Sequence, residues 1–280
     1  MSGQMLIFDR LAVRMHRDRS TPAAVSGVLA EVAVRLLDRL DDITRRFALA
    51  LDLGGRGVVA PMLRARGIDT ISSDLSPALA GAVALDEEFL PFAPASFDLI
   101  VANLSLHWIN DLPGALIQLR RALRPDGLFL ASLPALGTLG ELRAALTQAE
   151  AALTGGAAPR VSPFPDLRDC ASLLQRAGFA LPVVDGDEIT LLYADPLALL
   201  RDLRAAGETY AVVLRDRRIP PRALFPAALA AMPTQDGRAK VTLRLAMLTG
   251  WAPAPSQPKP LARGSAKISL AAALGTKETP

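Results

Sequence analysis

The sequence predicts a doubly wound α/β fold with an N-terminal helical cap, on three observations. A short apolar run, Phe47 to Leu51, ends in Asp52 and a glycine turn, Gly54-Gly55-Arg56-Gly57. A helical stretch and a second strand-like run follow, ending at Asp74, 22 residues after Asp52. Strand, glycine turn, helix, strand and acid make a βαβ unit of about 30 residues. Beyond it, apolar runs of strand length keep alternating with amphipathic helical stretches, the pattern of a largely parallel sheet covered on both faces.

Each element has its own local signal. Phe8-Asp9-Arg10 is followed by a polar basic stretch, Arg14 to Ser20, within the N-terminal segment. Thr21-Pro22 starts a helix, since proline is tolerated in a first turn. Val25, Val28, Leu29, Val32, Leu36, Leu37 and Leu40 continue it with one apolar face. Phe47 to Leu51 suits a buried parallel strand. Val58 to Arg66 is the crossover helix, with Gly67 as its stop. Ile68 to Ser73 and Ala82 to Leu85 read as strands, the latter ending at Asp86-Glu87-Glu88. Phe97 to Ala102 is a buried strand, Leu112 to Leu123 a helix, Arg124-Pro125-Asp126-Gly127 a tight turn and Leu128 to Leu133 a strand. Helices follow at Leu139 to Leu153 and Asp166 to Ala177. Phe179 to Val184 and Glu188 to Tyr193 read as a terminal antiparallel hairpin turning at Asp185-Gly186-Asp187. Pro196 to Ala206 and Leu224 to Met232 are helical, and Val241 to Thr249 reads as a last strand. The expected organisation is a helical segment at 1–45, a core at 46–193, a helical addition at 194–251 and a Pro-rich tail at 252–280.

Composition narrows the class. With 51% hydrophobic residues among 280, the chain can bury a large core. Of 31 basic residues 27 are Arg, scattered without a basic stripe interleaved with aromatics, so no nucleic-acid partner is expected. Cys170 stands alone, which excludes an intrachain disulfide and a Cys-rich metal site and fits a reducing compartment. The N-terminus lacks a signal-peptide core, and no run reaches the about 18 apolar residues that span a bilayer. The expected place is the cytoplasm, with peripheral association with a membrane left open.

The candidate ligand site lies where strands end. Glycines at 54, 55 and 57 let backbone approach a ligand after Asp52. A carboxylate at Asp74 can accept both hydroxyls of a ribose, while Asp74-Leu75-Ser76-Pro77 is equally a good helix start. Asp86 and Glu87 either take an adenine amino group or form a solvated acidic run. Asn103 and Leu104 close the row at a fourth strand end. His107, beside Trp108, is the candidate general base, with packing of the next helix as the plainer reading. With His16 as the other histidine, no two-histidine iron site is expected, and no metal is assigned.

Taken in order, Leu51-Asp52-Leu53-Gly54, Asp74, Asp86-Glu87-Glu88-Phe89-Leu90-Pro91-Phe92, Ser96-Phe97-Asp98-Leu99-Ile100 and Leu123-Arg124-Pro125-Asp126-Gly127 resemble the class I S-adenosylmethionine-dependent methyltransferases. These pieces are similar to the branch holding the malonyl-carrier-protein methyltransferases of biotin synthesis. Leu104 to Pro113, Thr138 to Arg143, Ser162-Pro163-Phe164, Arg176-Ala177-Gly178-Phe179 and Asp187-Glu188-Ile189 resemble the respiratory complex I assembly factor 5 family more closely. The resemblance covers about Phe8 to Trp251. It implies a seven-stranded Rossmann-like sheet with a reversed final strand. It also implies S-adenosylmethionine as cofactor, with its methionine end at the glycine turn, its ribose at Asp74 and its adenine beside Asp86 and Glu87. The turn departs from the family's Asp-x-Gly-x-x-x-Gly pattern by one missing residue, and carries Arg56 where backbone would meet ligand.

Three functions are consistent with these residues. The first is a methyltransferase of unread substrate. The second, which the resemblance implies, is a complex I assembly factor that hydroxylates an arginine of a complex I subunit, its protein partner, or serves it as a chaperone-like binder, at a place peripheral to the inner membrane. The third is a cofactor-free member that acts by binding a partner.

Overall fold

The computed structural model describes residues 6–258 and residue 265. The first strand, β1 (Leu49–Leu53), is the centre of a sheet built outward in both directions. It pairs in parallel with β2 (Asp69–Asp74) on one side and β4 (Phe97–Asn103) on the other. The two-residue β3 (Val83–Ala84) extends the β2 edge. On the other side β5 (Leu123–Pro134) lies parallel to β4. Beyond it β8 (Arg238–Trp251) runs antiparallel to both β5 and β6 (Ala180–Tyr193). The order β3-β2-β1-β4-β5-β8-β6 gives the seven strands expected, mostly parallel with one reversed. A short β7 (Thr234–Gln235) turns back onto β8.

The interiors of β1, β4 and β5 are largely apolar on both faces because both are covered. Helices α2 (Ser26–Leu37) and α3 (Val59–Ala65) pack Val32, Leu36, Val59 and Leu63 against Ala50, Leu99 and Leu130. On the opposite face α4 (Leu112–Ala122) and α6 (Leu167–Arg176) pack Leu116, Leu119 and Leu174 against Leu51, Ile100 and Phe129. Cys170 is buried in this second layer, where burial pushes its thiol up to about 11. A third cluster joins α5 (Gly140–Thr154), α7 (Pro196–Ala205) and α8 (Leu224–Ala230) over the outer part of β6 and β8. Asp98 fixes where β1 begins: its Oδ2 accepts from the amides of Ala48 (3.1 Å) and Leu49 (3.0 Å) and from Arg124 (2.9 Å). Among the described residues no single helix is long and apolar enough to cross a membrane.

Two expectations, the hairpin and the turn at Arg124 to Gly127, need correction. The hairpin at Asp185-Gly186-Asp187 does not form: β6 runs straight through it, with Asp185, Gly186 and Asp187 opposite Met247, Ala246 and Leu245. The partner that makes the antiparallel pair is β8, so the sheet crosses the boundary expected at residue 193. The polar stretch from Arg14 belongs to helix α1 (Arg10–Asp18), capped by Asp9, whose carboxylate accepts from the Ala12 amide. The turn expected at Arg124 to Gly127 is a bulge within β5, with Asp126 at φ 63°. The tail expected at 252–280 lies outside the described residues from residue 259 on, save Ser265.

Candidate active site

The carboxyl ends of β1, β2 and β4 and the chain just after β3 come together, as parallel topology requires at a switch point. Asp52 ends β1 fully buried; its Oδ2 accepts from the Ala60 amide at 3.0 Å, and its Oδ1 has no partner. Burial pushes this carboxyl up to about 7. Gly54 follows at φ 69°, donating from its amide to Ser73 O at 2.7 Å. Gly55 admits no side chain, because a Cβ there would lie 1.9 Å from Asp52 Oδ1. Gly57 is exposed, away from the strand ends.

Asp74 ends β2 fully buried, one oxygen accepting from the Ser76 amide at 2.8 Å. The helix start read at Asp74-Leu75-Ser76-Pro77 does not form: Asp74 caps a turn instead. Leu75 is buried against α1 in a small cluster with Phe8, Val13, Trp108 and Ala211. After β3, Glu87 is fully buried and Asp86 half-buried. Asn103 ends β4 with its amide turned into the fold, donating to Leu29 O at 3.0 Å and accepting from Ser132 Oγ at 2.8 Å. Leu104, at φ 51°, carries the chain over the sheet edge.

Two arginines that sequence reasoning passed over fill the space among these acids. Arg17 of α1 is 1% exposed. Its Nη1 donates to Asp74 Oδ2 (3.1 Å) and Glu87 Oε1 (3.3 Å), and its Nη2 to Ser105 O (3.4 Å). The same Nη1 lies 3.2 Å from where a Cβ on Gly54 would stand. Arg10 donates to Asp86 Oδ1 at 2.6 Å and to Glu87 Oε2. Desolvation works against the buried Arg17 cation, but Asp74 and Glu87 outweigh it and raise its pKa. The signal available in the sequence was the spacing: Arg10 and Arg17, seven residues apart, share one helix face.

Arg56, at φ 49°, reaches across to the end of β4. Its guanidinium donates to Leu104 O (2.6 Å), Asn103 O (3.3 Å), Ala206 O (3.1 Å) and Glu208 Oε1 (2.7 Å). Glu208 is the third residue that sequence reasoning missed. Its Oε2 faces His107 Nε2 at 2.6 Å and accepts from Trp108 Nε1 at 2.7 Å. Burial alone would raise Glu208, but the facing His107, Arg56 and Arg17 hold it well below the usual carboxylate range. His107 Nδ1 is buried without a partner.

Beside this network lies a cavity of about 820 Å³, reaching from Leu104 and His107 under α2, α5 and α7. Its walls are largely Leu and Val with Phe164, Tyr193 and Tyr210. Among the described residues no three His, Cys, Asp or Glu side chains are grouped to hold a metal ion.

An open α/β sheet with one reversed strand and acids at successive strand ends defines a nucleoside-cofactor enzyme of the class I methyltransferase type. Comparison with known proteins agrees. A family profile described as "Methyltransferase domain" matches residues 26–182. "Arginine-hydroxylase NDUFAF5, mitochondrial" of Danio rerio is 37% identical over 95% of this chain and 89% of its own length. The Homo sapiens protein of that name is also 37% identical, over 94% of this chain and 82% of its own length. "Malonyl-[acyl-carrier protein] O-methyltransferase" of Xylella fastidiosa (strain M23) is 39% identical over 88% of this chain and 89% of its own length. Among solved structures, the BH2331 protein of Bacillus halodurans shares the fold at a TM-score of 0.53. It is 14% identical and covers 80% of this chain and 100% of its own. The chain belongs to the S-adenosylmethionine-dependent methyltransferase-domain family of which these relatives are part.

The residues fit that cofactor in kind. Buried carboxylates accept from hydroxyl and amino donors, Asp52 Oδ1 has an acceptor to spare, and Gly54 and Gly55 leave backbone bare. In this conformation Arg17 supplies the donors.

Proposed function

We propose that this chain is an S-adenosylmethionine-dependent methyltransferase whose acceptor enters the 820 Å³ cavity. The observation that carries the reading is the arrangement around the end of β4. Buried Asp52, Asp74 and Glu87 and bare glycine backbone gather at the strand ends, and Leu104 and His107, just past the end of β4, line a large, mostly apolar cavity. Asp74 and Glu87 hold the cofactor's hydroxyl and amino donors, with Asp86 at the outer edge and Leu75 and Leu104 as walls. Asp52, Gly54 and Gly55 form the floor, and Gly57 and Asn103 shape the turn and the β4 end behind it. The cofactor supplies an electrophilic methyl group. The chain's own part is to align the acceptor and exclude water, which the apolar walls favour. His107 faces the cavity as the group that takes or holds a proton.

A second reading is hydroxylation of a protein arginine, such as one in a respiratory complex I subunit. The relatives named arginine-hydroxylase, 37% identical over most of both chains, favour it. A place peripheral to the inner membrane goes with it, supported by the exposed Leu11 and Met15 on α1.

Titration calorimetry with S-adenosylmethionine tests the site. Asp74→Asn should weaken binding by about 1–3 kcal/mol, the worth of hydrogen bonds to a charged acceptor. Unchanged affinity would remove Asp74 from the site. Mass spectrometry of the target protein with and without this chain separates the readings: loss of a methyl increment supports the first, loss of one oxygen the second.

A further inference from the structure

We propose that Arg17 is an internal occupant of the cofactor's carboxylates, and that it leaves with a two-segment lid when S-adenosylmethionine enters. This rests on the cofactor reading given above.

The lid is residues 7–18 together with 207–215. Backbone bonds join its two parts: Asp9 N donates to Ala211 O and Val213 N to Ile7 O, both at 2.8 Å, with a bridge between Phe8 and Val212. Arg215 adds an ion pair to Asp9 at 3.0 Å. The polar contacts of the lid to the sheet ends are of another kind, made largely by side chains. Arg17 holds Asp74 and Glu87, Arg10 holds Asp86 and Glu87, and Glu208 is held by Arg56, His107 and Trp108. Asn110 Oδ1 also accepts from the amides of Ile7 and Phe8 at 2.8 Å. A lid joined within by backbone and fastened to its frame by side chains can move as one piece.

Asp74 and Glu87 are fully buried, so they cannot be left without donors. In the closed state the donors are Arg17 and Arg10. A ligand that displaces Arg17 must bring hydroxyl or amino donors and should also carry positive charge. S-adenosylmethionine has both, through its ribose, its amino groups and its sulfonium. The lid therefore sets cofactor affinity, because binding is weakened in proportion to the fraction of molecules that are open.

Calorimetry on three full-length proteins tests this: wild type, Arg17→Met and Asp9→Ala. Arg17→Met removes the competitor at similar side-chain length. Asp9→Ala removes the α1 cap and the Arg215 pair without touching a strand-end acid. Both variants should bind S-adenosylmethionine more tightly, Asp9→Ala by about fivefold if losing the cap shifts the lid by the usual capping free energy. A melting curve establishes that each variant is folded, and if Arg17→Met is not, Asp9→Ala decides. Weaker binding by folded Arg17→Met would make Arg17 a cofactor ligand and overturn the proposal. So would wild-type affinity in every folded variant. Binding by none of the three would instead remove the cofactor reading, and the gate with it.

Discussion

Replacing Asp52 by Asn should make the protein's stability less dependent on pH between about 5 and 8. Asp52 is fully buried, and burial carries its carboxyl from 3.8 up to about 7. In the unfolded chain the group is ionised above its ordinary value near 4. Between these two values the native state holds a proton that the unfolded state does not, so stability falls as pH rises. The full span of about 3 pKa units corresponds to roughly 4 kcal/mol. The part between pH 5 and 7 corresponds to roughly 2 kcal/mol, because the native group is half ionised at pH 7. Asn keeps an acceptor for the Ala60 amide and cannot ionise. Urea unfolding of wild type and Asp52→Asn at pH 5, 6, 7 and 8 gives the comparison directly. The variant's stability relative to wild type should climb by roughly 2 kcal/mol from pH 5 to pH 7 and then level off. A difference that stays flat with pH would mean that Asp52 titrates alike folded and unfolded, and would refute the account of its burial.

Two further variants probe the site's construction. Glu208→Gln leaves the buried Arg56 without its carboxylate and should cost about 3–5 kcal/mol in urea unfolding at neutral pH. Because the Glu208 pKa is depressed by folding, that difference should hold above about pH 4.3 and shrink on further acidification. Gly55→Ala sets a Cβ 1.9 Å from Asp52 Oδ1, so the carboxylate or the turn must shift. A loss of about 1–3 kcal/mol is expected, together with weaker S-adenosylmethionine binding by calorimetry.

Where a signal was local, the sequence carried it. The glycine turn, the acids at Asp52, Asp74 and Glu87 and most helices could be read because periodicity, caps and turn residues act within a few positions. Asp185-Gly186-Asp187 misled for the same reason. Its composition favours a turn, but β8 pairs along the whole of β6. Arg39 and Arg35, from the α2 region, take the carboxylates of Asp185 (2.6 Å) and Asp187 (2.9 Å). A strand partner some 60 residues away thus overrode a local preference.

Helix α1 shows the opposite failure. Of its nine residues Leu11, Ala12, Val13 and Met15 are apolar, too short a pattern to announce a helix by periodicity. Its buried anchors include Arg17, whose carboxylate partners lie 57 and 70 residues further on. Glu208 stands just after a helix end with nothing nearby to mark it, and its partners His107 and Arg56 are 101 and 152 residues away.

The sequence by itself determined the sheet's alternation, the acids that tip its strands and the family that follows from them. These depend on residue type and spacing along one strand or helix. Tertiary structure alone decided which charge meets which acid. It set Arg17 against Asp74 and Glu87 and gathered Arg56, His107 and Trp108 on Glu208, because an ion pair depends on distance in space, which sequence spacing does not fix.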